Sequence, residues 1–464
     1  MRVLTALLAA AAAAVVAARS VKGPRVLAIL DKAEQAHSHS TFFSGLEDSG
    51  FETDFHIAGD GAVTLLTDGE YHYDHIVLLA PSSKKWGVST KQVMKFIADG
   101  GNVFAATGPS VSTAFRNFAA ELGISVAPAG HRVVDHVTPA PGDAGYHTRI
   151  STTAYGDASA TQWVLGSDAT TAPFVFDGVA MSTSPDNYLA FPVVTGGATA
   201  LSQPLGKAHS GPATAGQDTV LVMAAQGRTN SRVILVGSTW AVSDAAAALQ
   251  VDGATVSNGR ALLAAAQWAF QARGVLRASN IWHQHASGSP PAHQLHNKSK
   301  STLPRSMYPE PEAAPQSLVY RIKEDVQYFV DLHVWEGDSW QPLVRDDVQL
   351  EFVMLDPHVR QALKYTGNGT YMAEFMTPDN YGVFKFRLMY RRHGLSTVSE
   401  NRQVTVRRFW HNEYERYIPS AFPYYLAVFS MMAGFFVFSL VFLFTKPGVA
   451  FTGAPSGKGK AKRD

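Results

Sequence analysis

The sequence predicts an α/β fold on a doubly wound parallel sheet, followed by a small β-sandwich and one C-terminal transmembrane helix. Three observations carry this. From Pro24 onward, short apolar runs alternate with amphipathic stretches, as expected of strands buried on both faces between helices. From Ser317 the pattern becomes one of alternating residues interrupted about every ten positions, which suits stacked antiparallel sheets. Between Tyr424 and Thr445 no charge interrupts an apolar run long enough for a helix to cross about 30 Å of hydrocarbon.

The elements follow in order. Arg2, the apolar run Val3 to Ala18 and the small residues before Arg19-Ser20 predict a cleaved signal peptide over 1–19. An α/β region over 24–275 comes next, read as two halves, about 24–125 and 160–275. In the first, Val26 to Leu30, Phe51 to Ala58, His75 to Ala80 and Val103 to Ala106 read as strands. Phe42 to Leu46, Val93 to Ala98 and Thr113 to Leu122 read as helices, the last closed by Gly123. In the second, Trp163 to Leu165, Phe174 to Phe176, Thr219 to Ala225 and Arg232 to Gly237 are expected strands, and Gly259 to Ala272 an amphipathic helix. A stretch over 276–316, rich in Ser, Pro, His and Gln, reads as a linker. The β-sandwich over 317–410 then draws strands from Leu318 to Ile322, Gln327 to Trp335, Val348 to Leu355, Thr370 to Phe375, Gly382 to Tyr390 and Gln403 to Val406. After the helix over 424–445, the tail 446–464 carries Lys446, Lys458, Lys460, Lys462 and Arg463. The positive-inside rule puts that tail in the cytosol, giving a type I single-pass protein.

Composition narrows the chemistry. There is no cysteine, hence no disulfide, thiol nucleophile or cysteine metal site. With 39 basic and 38 acidic residues the net charge is +1, and no electrostatic case for nucleic acid exists. Lys462 and Lys460, third and fifth from the carboxyl end, have the spacing of a dilysine retrieval signal to the endoplasmic reticulum. A basic stop-transfer flank explains them equally well.

In an open α/β sheet, ligands sit beyond the carboxyl ends of the strands. Asp31, His37, Ser38, His39, Ser82 and Thr107 occupy those positions and form a candidate ligand crevice. A serine, a histidine and an aspartate suggest a nucleophile and its base, but no G-x-S-x-G elbow surrounds these serines, and strand-end loops are commonly polar because they are wet. Gly59-Asp60-Gly61 and Gly100-Gly101 lack the spacing of a nucleotide site. His283, His285, His293 and His296 could bind zinc, although their Pro/Ser-rich setting favours a linker, so neither metal nor cofactor is expected. Asn297-Lys298-Ser299 and Asn368-Gly369-Thr370 are N-glycosylation acceptors, the second being equally an Asn-Gly hairpin turn. The apolar helix has no ionisable residue, and Ala427, Ser430 and Gly434 give it a small-residue face suited to packing on another helix.

Tyr414 to Met432 (YERYIPSAFPYYLAVFSMM) closely resembles the family of the 48 kDa subunit of the oligosaccharyltransferase complex. Val26 to Asp31 with Thr41-Phe42-Phe43, Gly100 to Val103, Val348 to Arg360 and Pro378 to Phe384 match too, extending the likeness from about Arg25 to the tail. The resemblance implies a non-catalytic subunit of the enzyme that transfers a lipid-linked oligosaccharide to Asn in N-x-S/T sequons. Its implied partners are the other subunits, including a multi-spanning catalytic one, together with membrane lipids and the lipid-linked oligosaccharide. Its implied place is the endoplasmic reticulum membrane. The N-terminal region resembles glutamine-amidotransferase-like domains, whose cysteine nucleophile is absent here. The alternative is a stand-alone type I luminal receptor or cargo adaptor that binds glycans.

Overall fold

The computed structural model describes residues 20–166, 170–204, 213–251, 253–286, 319–337, 339–414 and 417–445. The expected signal peptide, Asn297, the histidines His293 and His296, and the tail lysines Lys460 and Lys462 lie outside the described residues. The architecture is mixed α/β with a C-terminal apolar helix, and chain contacts divide it after Arg407.

The larger unit begins with strand β1 (Arg25–Leu30), apolar and buried after the exposed Arg25 because it is covered on both sides. Its Val26, Ala28 and Leu30 enter one core, while Leu27 and Ile29 enter another. Then come α1 (Ser40–Asp48), β2 (Glu52–Ile57), β3 (His75–Leu79), α2 (Thr90–Ala98), β4 (Asn102–Ala106) and α3 (Thr113–Glu121). The chain continues through β5 (Ile124–Val126), α4 (Ala158–Leu165), β6 (Met181–Thr183), β7 (Ala190–Thr195), β8 (Val220–Gln226), β9 (Arg232–Val236) and α5 (Asn258–Ala269). One nine-stranded sheet results, ordered β2-β1-β3-β4-β9-β8-β6-β5, with β7 also paired to β8. From β2 to β9 the strands run parallel, and from β9 onward antiparallel. Helices α1, α4 and α5 cover one face, while α2 and α3 cover the other. The two expected halves therefore share a single sheet, joined where β9 lies beside β4.

One expected strand is a helix. Trp163 to Leu165 ends α4, which starts where Asp157 accepts a hydrogen bond from the Ser159 amide and buries Ala160, Thr161, Val164 and Leu165. Three residues were too few to reveal that period. The expected linker is corrected as well, because strand β10 (Val275–His285) occupies its start. His283 and His285 made this stretch look polar, yet both are buried. His283 Nδ1 pairs with the Tyr320 hydroxyl, and His285 Nδ1 lies 3.1 Å from Glu324. Residues 287–318 lie outside the described residues.

The β-sandwich adds β11 (Val319–Arg321), β12 (Asp325–Trp335), β13 (Trp340–Pro342), β14 (Gln349–Met354), β15 (Asp356–Ala362), β16 (Lys364–Gly367), β17 (Thr370–Met376), β18 (Gly382–Tyr390) and β19 (Val398–Arg407). One sheet runs β10-β12-β17-β16 with β13 on the β12 edge, and the other runs β11-β19-β18-β14-β15. Tyr328 and Phe375 of the first meet Phe386 and Phe352 of the second across the core. The β18–β19 connection then ties the sandwich to the α/β part. Trp268 Nε1 donates to Gly394 O at 2.7 Å, Gln226 Nε2 to Leu395 O at 2.7 Å, and the Thr397 amide to Asn230 Oδ1 at 2.7 Å. Gly394 has φ +86°, and a Cβ there would stand 3.0 Å from Ala160 O, so only glycine suits this close approach.

The Arg232 side chain lies beneath this joint, 1% exposed. Its guanidinium donates to Trp268 O, Arg273 O and Gly274 O at 2.6–2.7 Å and stacks 4.8 Å from the Trp268 ring. Burial pulls its pKa down to about 9, still cationic at neutral pH. Arg232→Ala would strand those carbonyls and leave a cavity, so it should cost about 3–5 kcal/mol in thermal unfolding of the detergent-solubilised chain. A change under about 1 kcal/mol would contradict this role.

Two buried histidines set an acid limit. Burial lowers His75 to about 4, against a hydrogen bond to Gly23 O that favours the charged form. Burial likewise lowers His283 to about 4, aided by Arg402. Below pH ~6.5 the unfolded chain takes up protons that the folded one refuses until pH ~4. Stability from these groups is therefore complete above pH ~6.5 and falls as pH drops towards 4. In His75→Gln and His283→Gln variants the slope of melting temperature against pH in that window should flatten; an unchanged slope would refute the assignment.

The smaller unit, from Arg408 on, contains helix α6 (Phe422–Phe444), whose 23 residues span about 34 Å. Pro423 lies in its first turn, and Tyr417 stacks on Tyr425 at 5.0 Å. The apolar segment 419–444 is long enough to cross a membrane.

Candidate functional site

Strand order reverses direction between β1 and β3, the switch point where an α/β sheet opens a crevice. Asp31 leaves β1 at this point and Ser82 follows β3. The two expected site residues do meet, but they close the gap between them. Asp31 Oδ2 accepts from the Ser82 amide at 3.1 Å and its hydroxyl at 2.6 Å, and Oδ1 accepts from the Ser83 amide at 3.1 Å. The Asp31 amide in turn donates to Gln35 Oε1 at 2.8 Å.

His39 is buried beside this knot. Its Nδ1 lies 2.9 Å from Ser38 Oγ and 3.0 Å from Gln35 O, and its Nε2 lies 3.1 Å from Thr239 O. Ser38 and His39 are thus paired, but the far ring nitrogen meets a backbone carbonyl where a catalytic relay would place a carboxylate. Thr107 follows β4 and is fully buried. Its carbonyl accepts from the Thr239 amide at 2.6 Å, while its hydroxyl has no hydrogen-bond partner among the described residues. Thr239 so links His39 to Thr107. His37 stays exposed and joins none of them.

Sequence reasoning missed Asp244. It reaches across to the start of α1, accepting from the Ser40 amide and hydroxyl at 3.0 and 2.8 Å and from the Thr41 amide at 2.9 Å. Burial opposes its charge, but the bonds from Thr41 and Ser40 outweigh that and hold its carboxyl below the usual range. The helix has no cap of its own, so an aspartate 204 residues away supplies one. An uncapped helix start was the available signal, but it does not name the partner.

An open depression of about 620 Å³ flanks the carboxyl ends of β2 and β3. Gly59, Gly61, Lys84, Lys85, Ser89 and Thr90 help line it. In α6, Ala427, Ser430 and Gly434 are exposed; Ser430 Oγ donates to Ala427 O at 2.9 Å, and the Gly434 surface is open. Asn368 is exposed in the turn between β16 and β17, with φ +53°. Among the described residues no cluster of three or more His, Asp or Glu side chains could hold a metal.

Comparison with known proteins gives a consistent result. The family model "OST48, N-terminal domain" matches residues 17–272, and "OST48 middle domain" matches 306–446. Dolichyl-diphosphooligosaccharide–protein glycosyltransferase 48 kDa subunits are similar over nearly the whole chain. The one from Arabidopsis thaliana is 35% identical over 91% of this chain and 93% of its own. Those from Danio rerio and Drosophila melanogaster are 35% and 34% identical, each over 90% of this chain and 91% of its own.

The Asp31 knot and the Asp244 cap are structural contacts that mutation can weigh. Asp31→Ala should destabilise by about 1–3 kcal/mol and Asp244→Ala by about 0.5–2 kcal/mol, read as thermal unfolding of the solubilised chain. An Asp31→Ala protein as stable as its parent would show that the knot contributes nothing to folding.

Proposed function

The chain belongs to the family of the 48 kDa subunit of dolichyl-diphosphooligosaccharide–protein glycosyltransferase, and we propose that it acts there as a non-catalytic subunit in assembly and glycan-donor presentation. It is a single-pass membrane protein of the oligosaccharyltransferase complex and serves protein N-glycosylation. The observation that carries the reading is a likeness spanning 91% of this chain and 93% of its relative, so the chain matches a whole subunit and not one borrowed domain.

The finer assignments rest on the sequence features above. The large unit faces the lumen of the endoplasmic reticulum, after removal of 1–19, and the tail 446–464 faces the cytosol, with Lys460 and Lys462 as its retrieval signal. The parallel run from β2 to β9 supports descent from a glutamine-amidotransferase-like sheet. Chemistry in the complex falls to a multi-spanning partner. Helix α6 meets other membrane subunits through Ala427, Ser430 and Gly434 and presents its phenylalanines to lipid. Asn297 is a glycan acceptor. The candidate crevice residues Asp31, His39 and Thr107 are committed to internal contacts or buried, so donor presentation rests on the family likeness.

Purification in mild detergent should recover the chain in stoichiometric amounts with multi-spanning partners, and Gly434→Leu should reduce that recovery several-fold without unfolding the large unit. Isolation of a lone, stable monomer would overturn the subunit reading and restore the receptor alternative.

A further inference from the structure

The outer face of the β10-β12-β17-β16 sheet carries aromatic and polar rows in register. Trp335 pairs with Trp340, His333 with Arg277 and Pro342, Asp331 with Ser279 and Thr370, and Phe329 with Trp282 and Met372. The Trp335 and Trp340 rings lie 5.4 Å apart, and Trp282 lies flat on Phe329 at 3.9 Å. Trp282 and Trp340 each remain 36% exposed. Between the two aromatic rows, Asp331 accepts from Thr370 Oγ1 at 2.6 Å and from Asn280 Nδ2 at 2.7 Å. The Trp335 and Trp340 rings are tilted by 54°, with the Arg277 guanidinium 5.8 Å over Trp340. Half-exposed indole beside guanidinium, carboxylate, amide and imidazole groups suits a pyranose, which offers a C–H face and a rim of hydroxyls.

The sequon places such a ligand at the edge of this face. The Asn368 turn is pinned to β12, since Gly369 O accepts from the Leu332 amide at 2.9 Å, and a Cβ on Gly369 would stand 3.1 Å from His333 Nε2. The Trp335–Trp340 row is about 7 Å along the strand from the His333 row. We propose that Asn368 is N-glycosylated and that its own glycan packs back over His333 towards Trp340 and Trp335. The tether raises the local sugar concentration to roughly the millimolar range, so a weak stacking contact suffices. Thr370 already bonds to Asp331 in the closed hairpin, so transfer to Asn368 precedes folding.

This inference rests on the luminal placement of the large unit. The test uses the full chain made in a eukaryotic secretory cell, with an Asn297→Gln copy to isolate Asn368. Glycopeptide mass spectrometry should find Asn368 occupied. A core-cleaving endoglycosidase should release that glycan about ten-fold more slowly from native than from denatured protein, with Trp340→Ala and His333→Ala restoring fast release. Asn368→Gln should leave tryptophan fluorescence more open to a soluble quencher, a readout that holds even if one alanine variant fails to fold. Asn297 occupied with Asn368 bare would refute the proposal while preserving the topology. Equal cleavage of native and denatured protein would refute the packing. If neither sequon is modified, protease protection in sealed microsomes separates the cases: a shielded unit overturns this proposal alone, and a digested one overturns the luminal reading with it.

Discussion

The larger unit depends on one buried cation without a carboxylate. Arg232 opens β9 at the centre of the sheet, where a neutral side chain would be expected. Its charge is offset by three carbonyls that end α5 and begin the path into β10, where a helix terminus carries partial negative charge. The ring on which it stacks, Trp268, passes the connection on, since the indole N–H holds Gly394 in the β18–β19 turn. Sheet, helix and sandwich therefore meet around one side chain, and a chain without disulfides gains its covalent-like joint from polar contacts in a dry place.

That joint holds the two folds in one unit, and the strand-end edge of the α/β part is closed by contacts of its own. An α/β crevice binds ligands when the amides and carboxylates at its strand ends are left unfilled. Here Asp31 fills the amides of Ser82 and Ser83, His39 sits between two carbonyls, and Asp244 caps α1. Asp31, His39 and Asp244 are thus committed to contacts within the fold, while His37 stays exposed and apart from them. Such an edge stabilises the body of the fold.

Much of the fold was legible because it is local. The apolar runs at Val26, Ile76 and Val103 and the amphipathic stretches at Phe42, Val93 and Phe115 came out as strands and helices, since burial on two faces or one leaves a period in the sequence. The failures share a different cause. Trp163 to Leu165 was too short a window for its period, and β10 hid behind histidines whose partners, Tyr320 and Glu324, arrive later in the chain. The site was legible only as positions. That Asp31, Ser82 and Thr107 lie at strand ends follows from the pattern. That Asp31 spends its carboxylate on Ser82, and that Thr239 and Asp244 complete the cluster, depends on contacts between residues far apart in sequence, which no local pattern carries.

Where the inward edge is committed, the outward surfaces are what remains for recognition, and they differ in kind. The depression near Lys84 and Lys85 is cationic and framed by glycine backbone, whereas the β12 face is aromatic and carries the carboxylates of Asp325, Asp331 and Glu374. The first is a patch of lysine charge, and the second sets ring faces beside charged and polar groups. The two surfaces belong to different parts of the same unit, held in fixed relation through Arg232 and Gly394. A force that loosened that joint would change how the two surfaces are held relative to each other, although Arg232 touches neither.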